Sequence, residues 1–428
     1  MLKLAIFKTD CTPPLKMPVG LNLHSQAQYI RDPLFMRGCI FDDCRKRVVI
    51  ASMDYAALLH SAYENLRSAL ASATKTQAEN VVIHCIHQHD APLMDFEAAE
   101  YFPRFNRQYF NWWDEIIKSV SVAASAALDS FQEISAVGHA QNPVAEYASN
   151  RRVTMPNEQL RTRLSRCGEN DLRDAPEGII DPLLRTICFK GINDQIITSL
   201  SFYATHPQVA NTGDKFSADA PGEAMRLAEL GNQNSMPIFF TGAGGNVTAG
   251  KYTSADLENN IQIFGKRLAD AIEHNLRNLT WEQIAEFSWQ KQTFKFPVKE
   301  ISRDNLLKRL VVPRESLTAA ALLGAMQFNP EPDYEMFLLT FGNTSMLFLP
   351  GEPFVEYQLY VNSISPDKFI AVAANCRDDF FYLPLSASFA EKGGYETENF
   401  CRTDERFEPL FKTAVNELFS KTTILTTK

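Results

Sequence analysis

Short apolar runs that stop at turn-forming clusters recur along the chain and alternate with stretches whose apolar residues fall three and four apart. The first pattern predicts buried strands and the second amphipathic helices. The opening residues read as a strand that runs into the rigid turn Asp10-Cys11-Thr12-Pro13-Pro14. Residues 47–54 predict a buried strand ending at Asp54, residues 61–76 a helix, and residues 81–92 a second strand rich in Val, Ile and Cys that stops at Asp90-Ala91-Pro92. Strand, helix, strand implies a crossover and a partly parallel sheet. A helix is expected over about 106–131, with Phe110, Trp113, Ile116 and Val120 facing a core.

The polar stretch 148–180, with Arg151, Arg152, Arg161, Arg163 and Arg166, reads as a long ordered loop over the sheet. Paired strands follow at 183–190 and 195–205, ending in His206-Pro207, and a further strand, 237–241, runs into Gly242-Ala243-Gly244-Gly245. The pattern then predicts a helix at 254–279, a strand at 286–298, a hairpin at 337–349 around Gly342-Asn343, a strand at 369–374 and a terminal helix at 409–420. No repeat, low-complexity tract or linker interrupts the series, so residues 1–428 read as one domain. The expected fold class is α/β, with mixed, partly parallel sheets flanked by helices and an active site at the strand ends.

Composition narrows the function. The chain has 428 residues, 45% hydrophobic and 22% charged, as in a globular protein. A net charge of −9 with no basic tract argues against a nucleic-acid partner. No apolar run approaches the length of a membrane span. The N-terminus has neither a sustained apolar segment nor a small-residue cleavage site, so a cytoplasmic location is expected, a mature secreted form being the alternative. The eight cysteines form no Cys-x-x-Cys pair and read as reduced core thiols rather than a zinc ribbon.

Candidate chemistry gathers at the predicted strand ends. On a strand, His87 and His89 share one face and His84 points away. Such a pair is either two hydrogen-bonded core histidines or a metal or acid/base site. His206, Glu352, Tyr382 and Tyr395 fall at other strand ends or in adjoining loops. Each alone has an ordinary explanation: a strand cap, a Pro-Gly-Glu-Pro turn, half-buried phenols.

Taken in order, the motifs resemble the catalytic domain of the neutral/alkaline (non-lysosomal) ceramidase family. That family's Thr-His-Thr-His-Ser-Gly-Pro appears as Ile86-His87-Gln88-His89-Asp90-Ala91-Pro92, its Asn-Arg-Ser-Pro as Asn150-Arg151-Arg152-Val153, and its Phe-Ala-x-His-Pro as Tyr203-Ala204-Thr205-His206-Pro207. Its Ser-Asp-Asn-x-Gly is matched loosely by Ser217-Ala218-Asp219-Ala220-Pro221-Gly222, and its Gly-Asp-Val-Ser-Pro by Gly245-Asn246-Val247-Thr248-Ala249. Its Pro-Gly-Glu is Pro350-Gly351-Glu352, and its Tyr-rich segment corresponds to Phe381-Tyr382-Leu383-Pro384 and Gly394-Tyr395-Glu396. The opening Asp-x-Thr-Pro-Pro is Asp10 to Pro14.

The resemblance implies a zinc-dependent hydrolase of an N-acyl amide, with one Zn2+ per chain held by His87, His206, Glu352 and Tyr382. It implies His89 as the acid/base group, and Arg151 with Tyr395 as donors to the oxyanion. Asp219 either orients a ligand histidine or caps a helix before Pro221, and Asn246 and Thr248 belong to the pocket. Asn246 stands where the family has a carboxylate, so Thr248 is not assigned as a nucleophile. A single catalytic domain without the family's C-terminal immunoglobulin-like domain is the expectation, and ceramide or a smaller or more polar amide is the expected substrate.

Other readings remain. Gly245 to Lys251 fits Gly-x-x-x-x-Gly-Lys after a strand, although Tyr252 stands where a phosphate loop needs Ser or Thr. An amidohydrolase barrel would open its first strand with His-x-His. A non-catalytic descendant of the family would serve as a binding protein.

Overall fold

The computed structural model describes residues 1–20, 22–102, 107–232, 235–284, 286–313, 315–391 and 394–425. Its centre is a nine-stranded mixed sheet. The strand order is Met236–Thr241, Ile196–Tyr203, Leu183–Gly191, Gln132–Pro143, Lys3–Asp10, Phe35–Asp42, Arg47–Met53 and Val81–Cys85, with the short strand Thr280–Glu282 added beside Gln132–Pro143. The interior pairs are antiparallel. Each edge is a parallel pair closed by a crossover helix. His60–Ala73 links Arg47–Met53 to Val81–Cys85, and Asp219–Gly231 links Ile196–Tyr203 to Met236–Thr241.

A second sheet of four strands runs Phe287–Lys295, Asp333–Phe341, Thr344–Phe348, Phe369–Ala373, with its last pair parallel. Period-two alternation decides what each face meets. Leu4, Cys39 and Phe41 point into the layer between the sheets, among Phe189, Phe240, Trp289, Phe341 and Phe348. Ala5, Phe7 and Ile40 point the other way, toward the helices His60–Ala73 and Arg107–Ala127. The second sheet is covered on its outer face by Val355–Ile364 and Phe407–Leu425. The fold is therefore α/β with mixed sheets flanked by helices, and neither sheet closes into an amidohydrolase-type barrel.

The two parallel edges meet at their C-terminal ends. The amide of Thr241 donates to His84 Nε2 at 2.9 Å, and its hydroxyl donates to the Ile86 carbonyl at 2.6 Å. Because Nε2 accepts, the His84 proton sits on Nδ1, 2.9 Å from Ser52 Oγ, which in turn donates to the Phe239 carbonyl. Burial lowers the His84 pKa to about 3, so the ring stays neutral. His84 is a structural clamp between the two edges.

Several expectations change. The strand ends at Cys85, so His87 and His89 lie beyond it in a loop. His87 has φ 72°, a left-handed conformation that breaks strand alternation. The stretch 148–180 is not plain loop: it carries the strands Ser149–Asn150, Arg152–Thr154 and Leu160–Thr162 and the helix Asn170–Asp174. Strands Phe35–Asp42 and Gln132–Pro143 and helices Ser316–Phe328 and Val355–Ile364 escaped the sequence pattern. Trp113, Ile116 and Val120 are buried as expected, whereas the side chain of Phe110 lies outside the described residues. All eight cysteines are free thiols, buried except Cys44. Among the described residues no helix is long and apolar enough to cross a membrane.

Phe41 joins the two sheets, its ring 5.0 Å from Phe189 and 5.1 Å from Phe341. Phe41→Ala is expected to cost about 3–5 kcal/mol in a denaturant titration. A loss under about 1 kcal/mol would contradict the packing of one sheet on the other.

Candidate metal centre and its two openings

Five separate segments deliver the site. Glu352 begins a two-residue parallel pair with Tyr382–Leu383, in register Glu352↔Tyr382. Gly351 precedes it at φ 71°, where a Cβ would lie 2.8 Å from the Phe381 carbonyl oxygen. The turn therefore requires glycine. His206 follows the strand Ile196–Tyr203, and its amide donates to the Val247 carbonyl at 3.1 Å. Pairing of Ser149–Asn150 with Val247–Thr248 sets Arg151 beside it. The His84 clamp brings in the loop of His87 and His89.

The result is a buried group, His87, His206 and Glu352, whose donor atoms all lie within 4.8 Å of one another. Glu352 Oε2 is 3.0 Å from His206 Nε2 and 3.3 Å from His87 Nε2. His206 Nδ1 is 2.7 Å from the Gly244 carbonyl oxygen, which can only accept, so its proton sits on Nδ1 and the Nε2 lone pair faces Glu352. Two acceptors this close require a cation or a proton between them. Burial opposes protonation of His87, but Glu352 outweighs it and raises the pKa. Burial, with Arg151, lowers His206 to about 4. Glu352 stays well below the usual carboxylate range, because the imidazoles outweigh the burial that opposes its charge. Tyr382 Oη lies 3.3 Å from His206 Nε2. With the His87 proton displaced, two imidazoles, a carboxylate and a phenol are the N/O donors that suit a divalent ion such as zinc.

His89 stands beside this group, its ring 5.4 Å from that of His87 and 6.4 Å from that of His206. Its Nε2 accepts from the Gln208 amide. Gln208 Oε1 accepts from Ser165 Oγ at 2.6 Å, and Ser165 Oγ accepts from Thr248 Oγ1 at 3.0 Å. Burial, then repulsion from His87 and His206, holds the His89 pKa well below normal, so the ring is a neutral base. Arg151 is buried. Its Nε donates to Glu396 at 3.0 Å, Nη2 donates to the Gly245 carbonyl, and its guanidinium lies 4.9 Å from the Tyr382 ring centre and 5.1 Å from that of Tyr395.

Asp219 accepts from the amides of Val209, Ala210 and Ala220, and so braces the chain after His206 and the start of its own helix. The partner of the His206 ring is Gly244, not Asp219. Asn246 caps the helix Val355–Ile364, its Oδ1 accepting from the Val355 amide at 2.8 Å. Thr248 ends the relay to His89. Gln208, Ser165 and Asp378 were missed from sequence. Only Gln208, two residues after His206, carried a positional signal.

The phosphate-loop reading fails on geometry. Lys251 Nζ donates to the carbonyls of Arg173 and Ala175, and the helix begins only at Leu257, so no helix N-terminus faces a phosphate position.

Two openings flank the centre and share Tyr382 and Phe400. A narrow cleft of about 40 Å³ reaches Glu352 and His87 past Leu59, Leu93, Leu317, Ala321 and Phe381. A wider, polar opening of about 310 Å³ is lined by His89, Ser165, Arg166, Gln208, Asn211 and Tyr395.

Among solved structures, the neutral ceramidase from Pseudomonas aeruginosa matches this chain with a TM-score of 0.72 at 15% identity, over 98% of this chain and 75% of that one. The fold is that of neutral ceramidase. A ceramidase complexed with C2 matches with the same TM-score at 14% identity, again over 98% of this chain and 75% of the other. No protein-family model and no curated protein sequence matches. The likeness to neutral ceramidase therefore lies in the fold, as the ordered motifs implied, while sequence similarity is slight.

A Cβ on Gly245 would lie 2.3 Å from the Glu352 carbonyl oxygen. Gly245→Ala is expected to displace Glu352 and weaken divalent-metal affinity roughly 10–100-fold in a zinc titration, with far-UV circular dichroism unchanged. Unaltered affinity would contradict the assigned packing of this loop on the metal group.

Proposed function

We propose that the protein is a zinc-dependent hydrolase that cleaves the amide bond of an N-acyl substrate, ceramide-like or smaller. The observation that carries this reading is the convergence of His87, His206 and Glu352 within 4.8 Å, beside Tyr382 and the neutral base His89. The matched neutral ceramidases support the choice of an amide as substrate and sphingolipid metabolism as its setting.

His87, His206, Glu352 and Tyr382 would hold the ion. Bound there, zinc would polarise the scissile carbonyl and lower the pKa of water toward ~7. His89 takes a proton from the attacking water and returns it to the departing nitrogen. The water oxygen bonds to the carbonyl carbon, the C–N bond breaks, and a carboxylic acid and an amine leave. Arg151 and Tyr395 donate to the oxygen on which charge develops, each worth about 3 kcal/mol when preorganised. Glu396 and the Gly245 carbonyl fix the Arg151 guanidinium, so its donors need little reorganisation. In this structure Gln208 donates to His89 Nε2, so that hydrogen bond must open before Nε2 takes the proton.

Zinc-loaded protein assayed against N-acyl amides of graded chain length tests the reading. His87→Ala is expected to lose bound zinc and turnover together. His89→Ala is expected to keep zinc and lose roughly 10²–10⁴ in kcat. Zinc retained in His87→Ala, or full turnover in His89→Ala, would overturn the respective roles.

A further inference from the structure

The apolar cleft holds a carboxyl group that the proposed reaction does not use. Asp378 lines it beside His87 and Glu352 and is 4% exposed. One carboxylate oxygen, Oδ1, accepts from Asn375 Nδ2 at 3.0 Å. The other, Oδ2, is buried and has no hydrogen-bond partner among the described residues. An acceptor left bare in an apolar wall costs about 1–3 kcal/mol, more if charged, and invites a donor from a ligand.

The rest of the lining defines that ligand. Leu59, Leu93, Leu317, Ala321 and Phe381 give the cleft apolar walls, and none of its described lining residues is Lys or Arg. Its only acidic side chains are Glu352 and Asp378, and burial raises the Asp378 pKa to about 8. An apolar tail fits, a carboxylate head does not, and a nitrogen bearing N–H groups is drawn to Oδ2. The wider opening on the opposite flank of Tyr382 has the contrary character, with Arg166 and no carboxylate. The two mouths thus differ in charge on either side of the centre.

We propose that this cleft takes the amine half of the substrate, an alkyl chain whose nitrogen hydrogen-bonds to Asp378, and that the acyl half lies toward the opening of Arg166. Asp378 is then a specificity residue, which grips the amide N–H before cleavage and the alkylammonium product after it. The assignment rests on the amide-hydrolase reading for its orientation, but the binding it predicts needs no turnover.

Calorimetry on the full chain, zinc-loaded, with hexylammonium, hexanol and hexanoate as probes, tests it. Hexylammonium is expected to bind most tightly and hexanoate least. Asp378→Asn, which keeps the acceptor for Asn375, is expected to retain zinc and weaken hexylammonium by roughly tenfold or more, the worth of one charge-assisted hydrogen bond. Ala321→Trp, which fills the cleft from the helix Ser316–Phe328, is expected to abolish binding of hexylammonium and hexanol alike. Hexylammonium binding no tighter than hexanol, or unaltered in Asp378→Asn, would overturn the proposal. If amides prove not to be hydrolysed while Asp378-dependent hexylammonium binding persists, the reaction fails and this site stands. If hydrolysis proceeds without that dependence, the reaction stands and this site fails.

Discussion

The structure depends on one buried carboxylate. Glu352 Oε2 lies within 3.3 Å of two imidazole nitrogens in a place where an unpaired charge is costly. His206 cannot relieve it by tautomerisation, since the Gly244 carbonyl fixes its proton on the far nitrogen. Positive charge at this point, shared by three side chains from distant segments, is what makes the cluster tolerable. Removing one partner leaves the others buried and uncompensated. The same logic explains the backbone strain nearby: His87, Phe381 and Asn375 all have positive φ without being glycine, a cost borne where geometry matters more than stability.

The fold supplies this point through its sheet edges. Each parallel edge pair ends at the same end of the sheet, and His84 fastens one edge to the other. The second sheet adds Glu352 after Thr344–Phe348 and Tyr382 after Phe369–Ala373, another parallel pair. Parallel strands align their C-terminal ends, so loops far apart in sequence gather together. The sandwich between the sheets, rich in Phe, keeps the two sets of ends in register. Chemistry and packing are therefore linked through few residues, and His84, which touches no reacting group, is the most economical of them.

How far the sequence told this in advance depends on the kind of signal. Strands buried on both faces and crossover helices left long apolar runs, and the mixed α/β class followed from them. Gln132–Pro143 escaped because it is half-exposed and carries Gly138, His139 and Pro143. Helix Ser316–Phe328 escaped because its Ala- and Leu-rich run is buried nearly all round and has no polar stripe. His87 and His89 drew notice through strand alternation, yet they meet the site through a left-handed turn that no alternation describes. The ordered motifs, not the local pattern, pointed to Glu352 and Tyr382. Asp378 and Ser165 sit in segments without a recognisable motif; the side-chain partners of Ser165, Gln208 and Thr248, are more than forty residues away, and Asp378 meets the site only where its loop folds against His87 and Glu352, so only three-dimensional proximity reveals them.

The central claim is that two imidazoles and one carboxylate bind a single cation. Anomalous diffraction at the zinc edge from zinc-loaded crystals tests it most directly. The account predicts one peak per chain, within about 2.0–2.2 Å of His87 Nε2, His206 Nε2 and a Glu352 oxygen. No peak between these three side chains, or zinc found only at cysteine or surface carboxylates, would contradict it.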